Sequence, residues 1–382
     1  MNIHLQNRIR VAYLIDTLDR GTAGTEKQLL RTIEKLDRKK FKPYLVCLWR
    51  SSWMDRNQLP CPVKVLGYRG FIKSNISCVF SELKRFVSEE DIRIVHVFFM
   101  DSIFVAFFTW RNEKELPILI SSRRDIGLGN EPWYHAAYDL LLPFVNRRFK
   151  AVVANSRNVG RHVIEKERLK TEKVRIIYNG IDIERDSPAS IPGGTSKGKV
   201  VRIALLANLK VVKRIDIFLE AFRILRRTVN GIRIEGLILG DGPEREKLKA
   251  MAIRLGIEKD VLFAGEVSDV FFHLRKMDIG VLTSDREGLS NAILEYMACG
   301  LPVVATAVGG TPELIDCDNG ICVPPGDPGA LAEAIRRLVS APELRQSMGL
   351  RSLEKAKSQF SWERTISDLQ SLYTELCPGS TE

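Results

Sequence analysis

Between residues 279 and 306 four segments follow one another directly: an apolar run, a polar break, a stretch of helical periodicity and a second apolar run. A parallel α/β layer is the architecture that suits this order. Ile279-Gly280-Val281-Leu282-Thr283 is short enough for a buried strand. Asp285-Arg286-Glu287-Gly288 interrupts it. From Leu289 to Cys299 the apolar residues fall at Leu289, Ala292, Ile293, Tyr296 and Met297, which is helical spacing. Gly300 is placed to cap that helix and Pro302 to stop it. Val303-Val304-Ala305-Thr306 is the next strand.

The chemistry of this unit lies in two glutamates. Glu287 precedes the expected helix, and Glu295 lies inside it, about 9 Å along the axis at 1.5 Å per residue. Backbone N–H groups near Leu289, Ser290 and Asn291 would form an anion site at the helix start. A diphosphate there would leave a ribose near Glu295 and a group on the far phosphate near Glu287. A carboxylate accepts two hydrogen bonds from vicinal hydroxyls. Two solvated glutamates on a capped helix are the bland alternative, and for two glutamates alone the commoner one.

The same alternation of apolar runs and helical segments fills the chain. Arg10–Ile15 reads as a strand, Asp16–Thr25 as a loop with Gly21 and Gly24, and the residues from Glu26 as an amphipathic helix. Strands follow at 43–49, 63–66, 94–98, 117–121, 151–154 and 174–177, with helices at 76–87, 104–111 and 133–149 between them. Residues 187–199 have linker composition. The second half reads as strands at 200–206, 234–239 and 261–263, with helices at 215–227, 244–255 and 270–276, then the 279–306 unit. Helices at 330–339, 342–357 and 362–376 end it. Two doubly wound domains are expected, with ligand beyond the strand C-termini. Their bounds are 1–180 and 181–360, followed by a terminal segment, 361–382.

Charge divides unevenly. Residues 1–180 carry a net +13 and residues 181–382 a net −2, out of +11 for the chain. An anionic partner is therefore expected for the first half, with general solubility as the competing explanation. Seven scattered cysteines, without a CxxC pair or zinc spacing, point to free thiols in a reducing compartment. The N-terminal residues contain no apolar signal segment, and 97–110 is too short to span a bilayer. A cytoplasmic protein, peripheral at most on the inner face of the cell membrane, is expected.

The stretch EGLSNAILE resembles the two-glutamate motif of the retaining glycosyltransferases of family 4. MACGLPVVAT, GGTPELI, NGICVPPGD and GDGP extend the resemblance, AGTEKQLL resembles the N-terminal glycine-rich loop, and YNGID resembles the domain crossover. The resemblance implies a GT-B fold, two Rossmann-like domains facing a cleft, with the helix at 362–376 crossing back to the first. It implies a retaining, metal-independent transferase of the hexosyltransferase type, using a nucleoside diphosphate sugar as substrate and no cofactor. By the same resemblance Glu295 holds the donor ribose and Glu287 meets the transferred sugar. Gly288, Leu289 and Ser290 offer N–H groups, Lys213 neutralises the leaving diphosphate, Gly242 lines the base and phosphate side, and Gly24 and Thr25 approach from the other domain. Lys213 could equally be an ordinary exposed loop lysine.

Three positions depart from the family pattern. Asn208 stands where the family has an arginine, with Arg214 as its candidate substitute. Ala23 replaces the first glycine of the N-terminal pair. Ser122-Arg123-Arg124-Asp125 occupies the usual histidine position, so Arg123 is expected in catalysis and Asp125 in sugar or phosphate contact. His96 is a further candidate, although a lone histidine in an apolar strand is more often packed in the core.

The expected acceptor is a hydroxyl of a glycan or lipid-linked molecule, in polysaccharide, lipopolysaccharide or glycolipid biosynthesis. A membrane face is expected at Arg31, Lys35, Arg38, Lys39, Lys40 and Lys42, with a merely solvated helix as the alternative. A nucleotide-sugar epimerase and a catalytically silent basic binding subunit are the competing readings. Nucleic acid is not expected, because no helix-turn-helix, stacking set or zinc finger is present.

Overall fold

The computed structural model describes residues 8–20, 24–71, 75–113, 117–125, 140–183 and 200–378. The linker assigned to 187–199, Ala23, and the first part of the helix assigned to 133–149 lie outside the described residues. The chain forms two compact units, one of residues 1–180 with 362–382 and one of residues 181–361.

In the first unit, β1 (Ile9–Ile15), β2 (Phe41–Cys47), β3 (Val63–Val65), β4 (Ile94–Val97), β5 (Ile118–Arg123), β6 (Ala151–Ala154) and β7 (Val174–Ile176) form one sheet. Its order is β3-β2-β1-β4-β5-β6-β7, with every pairing parallel. A parallel sheet is covered on both faces, so its strands are apolar on both. Thus Ala12 and Leu14 pack into one core cluster, and Val11, Tyr13 and Ile15 into the other. The helices are α1 (Gly24–Lys35), α2 (Ser52–Arg56), α3 (Ile76–Glu89), α4 (Met100–Trp110), α5 (140–145) and α6 (Arg157–Lys166). The final helix of the chain, Trp362–Leu376, belongs to this unit, where Leu369, Leu372 and Tyr373 join the Tyr13 cluster.

The second unit has β8 (Val200–Leu206), β9 (Arg233–Leu239), β10 (Val261–Gly265), β11 (Ile279–Leu282), β12 (Val303–Thr306) and β13 (Gly320–Val323). All pairings are again parallel, in the order β10-β9-β8-β11-β12-β13. Its core packs Ile203, Leu205 and Val281 against Phe218 and Phe222 of α7 (Ile215–Thr228). Each such aromatic, fully buried, contributes about 1.5–3 kcal/mol. Edge strand β13 was not read from the sequence, because four residues among Asp, Asn and Pro give no strand period. The chain runs outward from β8 in one direction and from β11 in the other. The switch in strand order between them opens a crevice at their C-terminal ends.

Candidate active site

The loops leaving β8 and β11 meet at that switch. After β8 the chain passes Asn208, which is exposed, and makes a single 3-10 turn, Val211–Lys213. It then turns through Arg214 in the left-handed region, φ 47° and ψ 47°. After β11 the buried Thr283 and Ser284 lead to Asp285. Two bonds fasten the loops together: Asp285 N–H donates to Val212 O at 2.9 Å, and Thr283 Oγ1 to Lys213 O at 2.8 Å. The result is a contact between residues far apart in sequence. Lys213 Nζ donates to Glu287 Oε1 at 2.6 Å.

Ser284 Oγ donates to the same Glu287 oxygen at 2.6 Å. No hydrogen bond from the described residues reaches Oε2. Glu287 therefore has one oxygen anchored and the other available as an acceptor. The side chains of Glu287 and Lys213 are 10% and 24% exposed, so both are shielded without being sealed off. Glu295 is 5% exposed, in the body of α10 (Asn291–Ala298). Two solvated glutamates are therefore not what the chain contains.

Helix α10 begins two residues later than its apolar spacing suggests. Ser290 is its N-cap, accepting from Ile293 N–H at 3.4 Å, which leaves the first turn one donor fewer for an anion. Gly288, Leu289 and Ser290 are buried in the loop ahead of the helix. Tyr296 of α10 accepts from Leu206 N–H at 2.5 Å and donates to Val281 O at 3.1 Å, pinning β8 to β11 beside their divergence.

The loop after β12 supports the carboxylate from behind. Gly310 N–H donates to Gly288 O at 2.8 Å, and Thr306 Oγ1 to Ser284 O at 2.6 Å. At Gly309 φ is +54°, and a Cβ there would stand 1.7 Å from Glu287 O. Only glycine fits. Gly242 is similarly pressed: a Cβ would lie 2.6–2.8 Å from the Leu209 backbone, so its place is set by loop packing. Sequence reading matched the GGTPELI stretch by family but did not find what it holds. Ser284, Thr283 and Thr306 were missed altogether, since isolated hydroxyl residues carry no period.

Arg214 is bound to two carboxylates, with Nη2 on Asp216 at 2.9 Å and Nη1 on Asp285 at 3.2 Å. The Asp216 hydrogen bond, foremost among these contacts, raises its pKa further. Its fork is thus committed, and Lys213 is the cation beside Glu287. Among the described residues no group of three or more His, Cys, Asp or Glu could hold a metal ion.

Gly24, Thr25, His96, Arg123 and Asp125 belong to the first unit. Gly24 starts α1 and is exposed, Thr25 is half-buried, and Asp125 is exposed just past β5. Arg123 must be corrected. It is buried, with Nε and Nη2 on the Glu167 carboxylate at 2.9 and 2.8 Å and Nη2 on Asn146 Oδ1 at 3.1 Å. Burial acts to raise the Glu167 pKa, but Arg123 and Asn146 outweigh it and hold it below the usual range. Freeing Arg123 for catalysis would strand a buried carboxylate, typically at a cost of about 3–5 kcal/mol.

His96 must be corrected too. It is buried in β4, with Nδ1 2.6 Å from Tyr373 Oη and Nε2 2.9 Å from Ser122 Oγ. It fastens the final helix to the sheet, with both ring nitrogens engaged inside the core. Burial, with Arg124 as a lesser cause, pushes its pKa down to about 3 from 6.5. The folded state thus binds fewer protons than the unfolded state between those values, so its stability falls as pH drops from 6.5. Melting curves are expected to decline from pH 6.5 to 4, less steeply in His96→Leu. Asp16, raised by burial to about 7, pulls the opposite way but is common to both proteins and cancels. Equal slopes would reject this role for His96.

Comparison with known proteins adds the family. Residues 200–341 match the model for "Glycosyl transferases group 1", and residues 22–185 the model for "Glycosyltransferase Family 4". The N-acetyl-alpha-D-glucosaminyl L-malate synthase of Bacillus anthracis is 32% identical over 209 residues, 53% of this chain and 54% of that protein. The lipopolysaccharide core biosynthesis glycosyltransferase LpsE of Rhizobium meliloti is 36% identical over 180 residues, 44% of this chain and 52% of that protein. The matched part of this chain spans about half the length of these relatives. Anabaena HepE, solved with UDP, superposes with a TM-score of 0.81 at 19% identity, covering 96% of this chain and all of that one.

Proposed function

Since this chain belongs to glycosyltransferase family 4 and has the GT-B fold, we propose that it transfers a sugar from a nucleoside diphosphate sugar to an acceptor hydroxyl with retention of configuration. The observation that carries this reading is the Lys213–Glu287 pair at the β8/β11 switch. Donor phosphates would lie against the loop 288–290 and the start of α10, with Lys213 turning from Glu287 to the diphosphate. As the bond from the anomeric carbon to the phosphate oxygen breaks, negative charge collects on the diphosphate. The Lys213 ammonium, brought to the diphosphate, would stabilise that charge in a shielded site. Glu287 would accept from hydroxyls of the transferred sugar, and Glu295 from the ribose. The acceptor oxygen bonds to the anomeric carbon on the same face, and its proton passes to the departing phosphate oxygen. Asn208 and Gly242 are proposed to line the donor and Arg214 to set the loop. The acceptor would be a glycan or lipid-linked hydroxyl, and neither metal nor cofactor would be required.

Anabaena HepE has been crystallised with UDP and with UDP-glucose, so uridine donors come first in a test. A panel of nucleoside diphosphate sugars is expected to give nucleoside diphosphate release with one donor, slow alone and faster with acceptor. A chelator should not change the rate, and the product anomer, read by NMR, should match the donor. Absence of release and transfer across the panel would reject the proposal.

A further inference from the structure

Helix α5 of the first unit is apolar on all sides. Leu142 and Val145 are buried in the core, whereas Leu140, Leu141 and Phe144 are 81%, 44% and 57% exposed. Neighbouring large apolar side chains turned to water mark an interaction site. Phe144 is held in place: it packs edge-on against Phe107, with ring centroids 5.5 Å apart at 74°. Arg147 lies 5.9 Å from the centroid of the same ring. Arg148 donates to the Arg111 carbonyl, and Arg111 lies 5.6 Å from the Phe108 centroid.

Further cations adjoin. Lys173 donates to the carbonyls of Arg147 at 3.1 Å and Phe149 at 2.9 Å. Burial first, and then the charges of Lys150 and Lys170, lower its pKa. Among the described residues, two acids nearby are paired, Glu113 with Lys84 at 2.6 Å and Glu172 with Lys170 at 3.7 Å. The first helix and its exit, by contrast, have no such apolar centre. No exposed large apolar residue falls within 31–42, and Arg31 is paired with Glu34 there.

We propose that this patch docks the first unit onto an anionic phospholipid bilayer, with Leu140, Leu141 and Phe144 entering the headgroup boundary and the surrounding arginines and lysines meeting the lipid phosphates. Three side chains fall short of the ~1,200–2,000 Å² that a stable protein–protein interface buries. Lysines that crowd one another need an anionic surface, which a second copy of this basic face does not supply. Docking would bring the protein to a lipid-linked acceptor, and so rests on the proposed activity for its purpose.

The test is flotation of the full chain with vesicles of phosphatidylcholine plus phosphatidylglycerol, against phosphatidylcholine alone. The chain should float with the anionic vesicles and be released by salt. L140S/F144S should bind at least about tenfold less, and Arg147→Ala about fivefold less, the factor matching ~1 kcal/mol per basic side chain near an anionic surface. Arg147 is exposed, so its variant decides the matter even where L140S/F144S melts early. Failure of the wild-type chain to float, or equal flotation of both variants, overturns the proposal. So does a dimer that L140S/F144S splits without any vesicle binding, because the occupant is then a second copy. Nucleoside diphosphate release without vesicles is measured alongside. Intact release without flotation rejects docking alone, and flotation without release rejects the transfer reading alone.

Discussion

Glu287→Ala is expected to lower turnover by about 10²–10³-fold, the scale for loss of one preorganised polar group at a reacting centre. The carboxylate is held through Oε1 by Ser284, and by Lys213 until that side chain turns to the diphosphate, so its other oxygen is set to accept from a ligand. Alanine removes the acceptor and also frees Lys213, which alters the charge the diphosphate meets. Folding should suffer little, because Lys213 is partly exposed and can rehydrate. Glu295→Ala should behave differently, raising the donor KM about tenfold or more while kcat stays within a few-fold, as expected for an interaction present equally in ground and transition states. Steady-state kinetics on the donor found in the panel separates the two. Similar, small effects of both substitutions would remove the roles assigned to these glutamates.

Gly309→Ala should injure the site from behind. The substitution carries the left-handed backbone penalty, about 1–2 kcal/mol, and an overlap with Glu287 O that the backbone must move to relieve, about 1–3 kcal/mol more. Either the chain melts several degrees lower or the Glu287 loop shifts and turnover drops by about 10²-fold, as misplacement by 1 Å can do. Gly231→Ala is the control. It shares a positive φ, +77°, but a Cβ there meets nothing within 4 Å, so only the backbone penalty remains and activity should be unchanged. A Gly309→Ala protein with wild-type melting and turnover would show that the loop after β12 does not hold Glu287.

Much of the fold was legible because a parallel strand buried on both faces must be apolar throughout. Runs such as 200–206 and 303–306 could therefore be placed closely, and β8 and β12 have those bounds. Boundaries governed by a single side chain were not legible. The start of α10 depends on Ser290 accepting from Ile293 N–H, which apolar spacing does not encode. His96 and Arg123 show the converse failure. Each has the chemistry of a site residue, but the partners that neutralise it, Tyr373 and Glu167, lie 277 and 44 residues away.

The order of apolar runs and helical segments, by itself, determined two parallel α/β layers and put a carboxylate at the head of a loop-to-helix turn. Local periodicity suffices for that, since each element must hide its own apolar face. Only the tertiary structure decided that Lys213 meets Glu287 across 74 residues, that Gly309 admits nothing larger, and that His96 and Arg123 serve packing. Strand order and side-chain direction fix those contacts, and neither has a period that can be read along the chain.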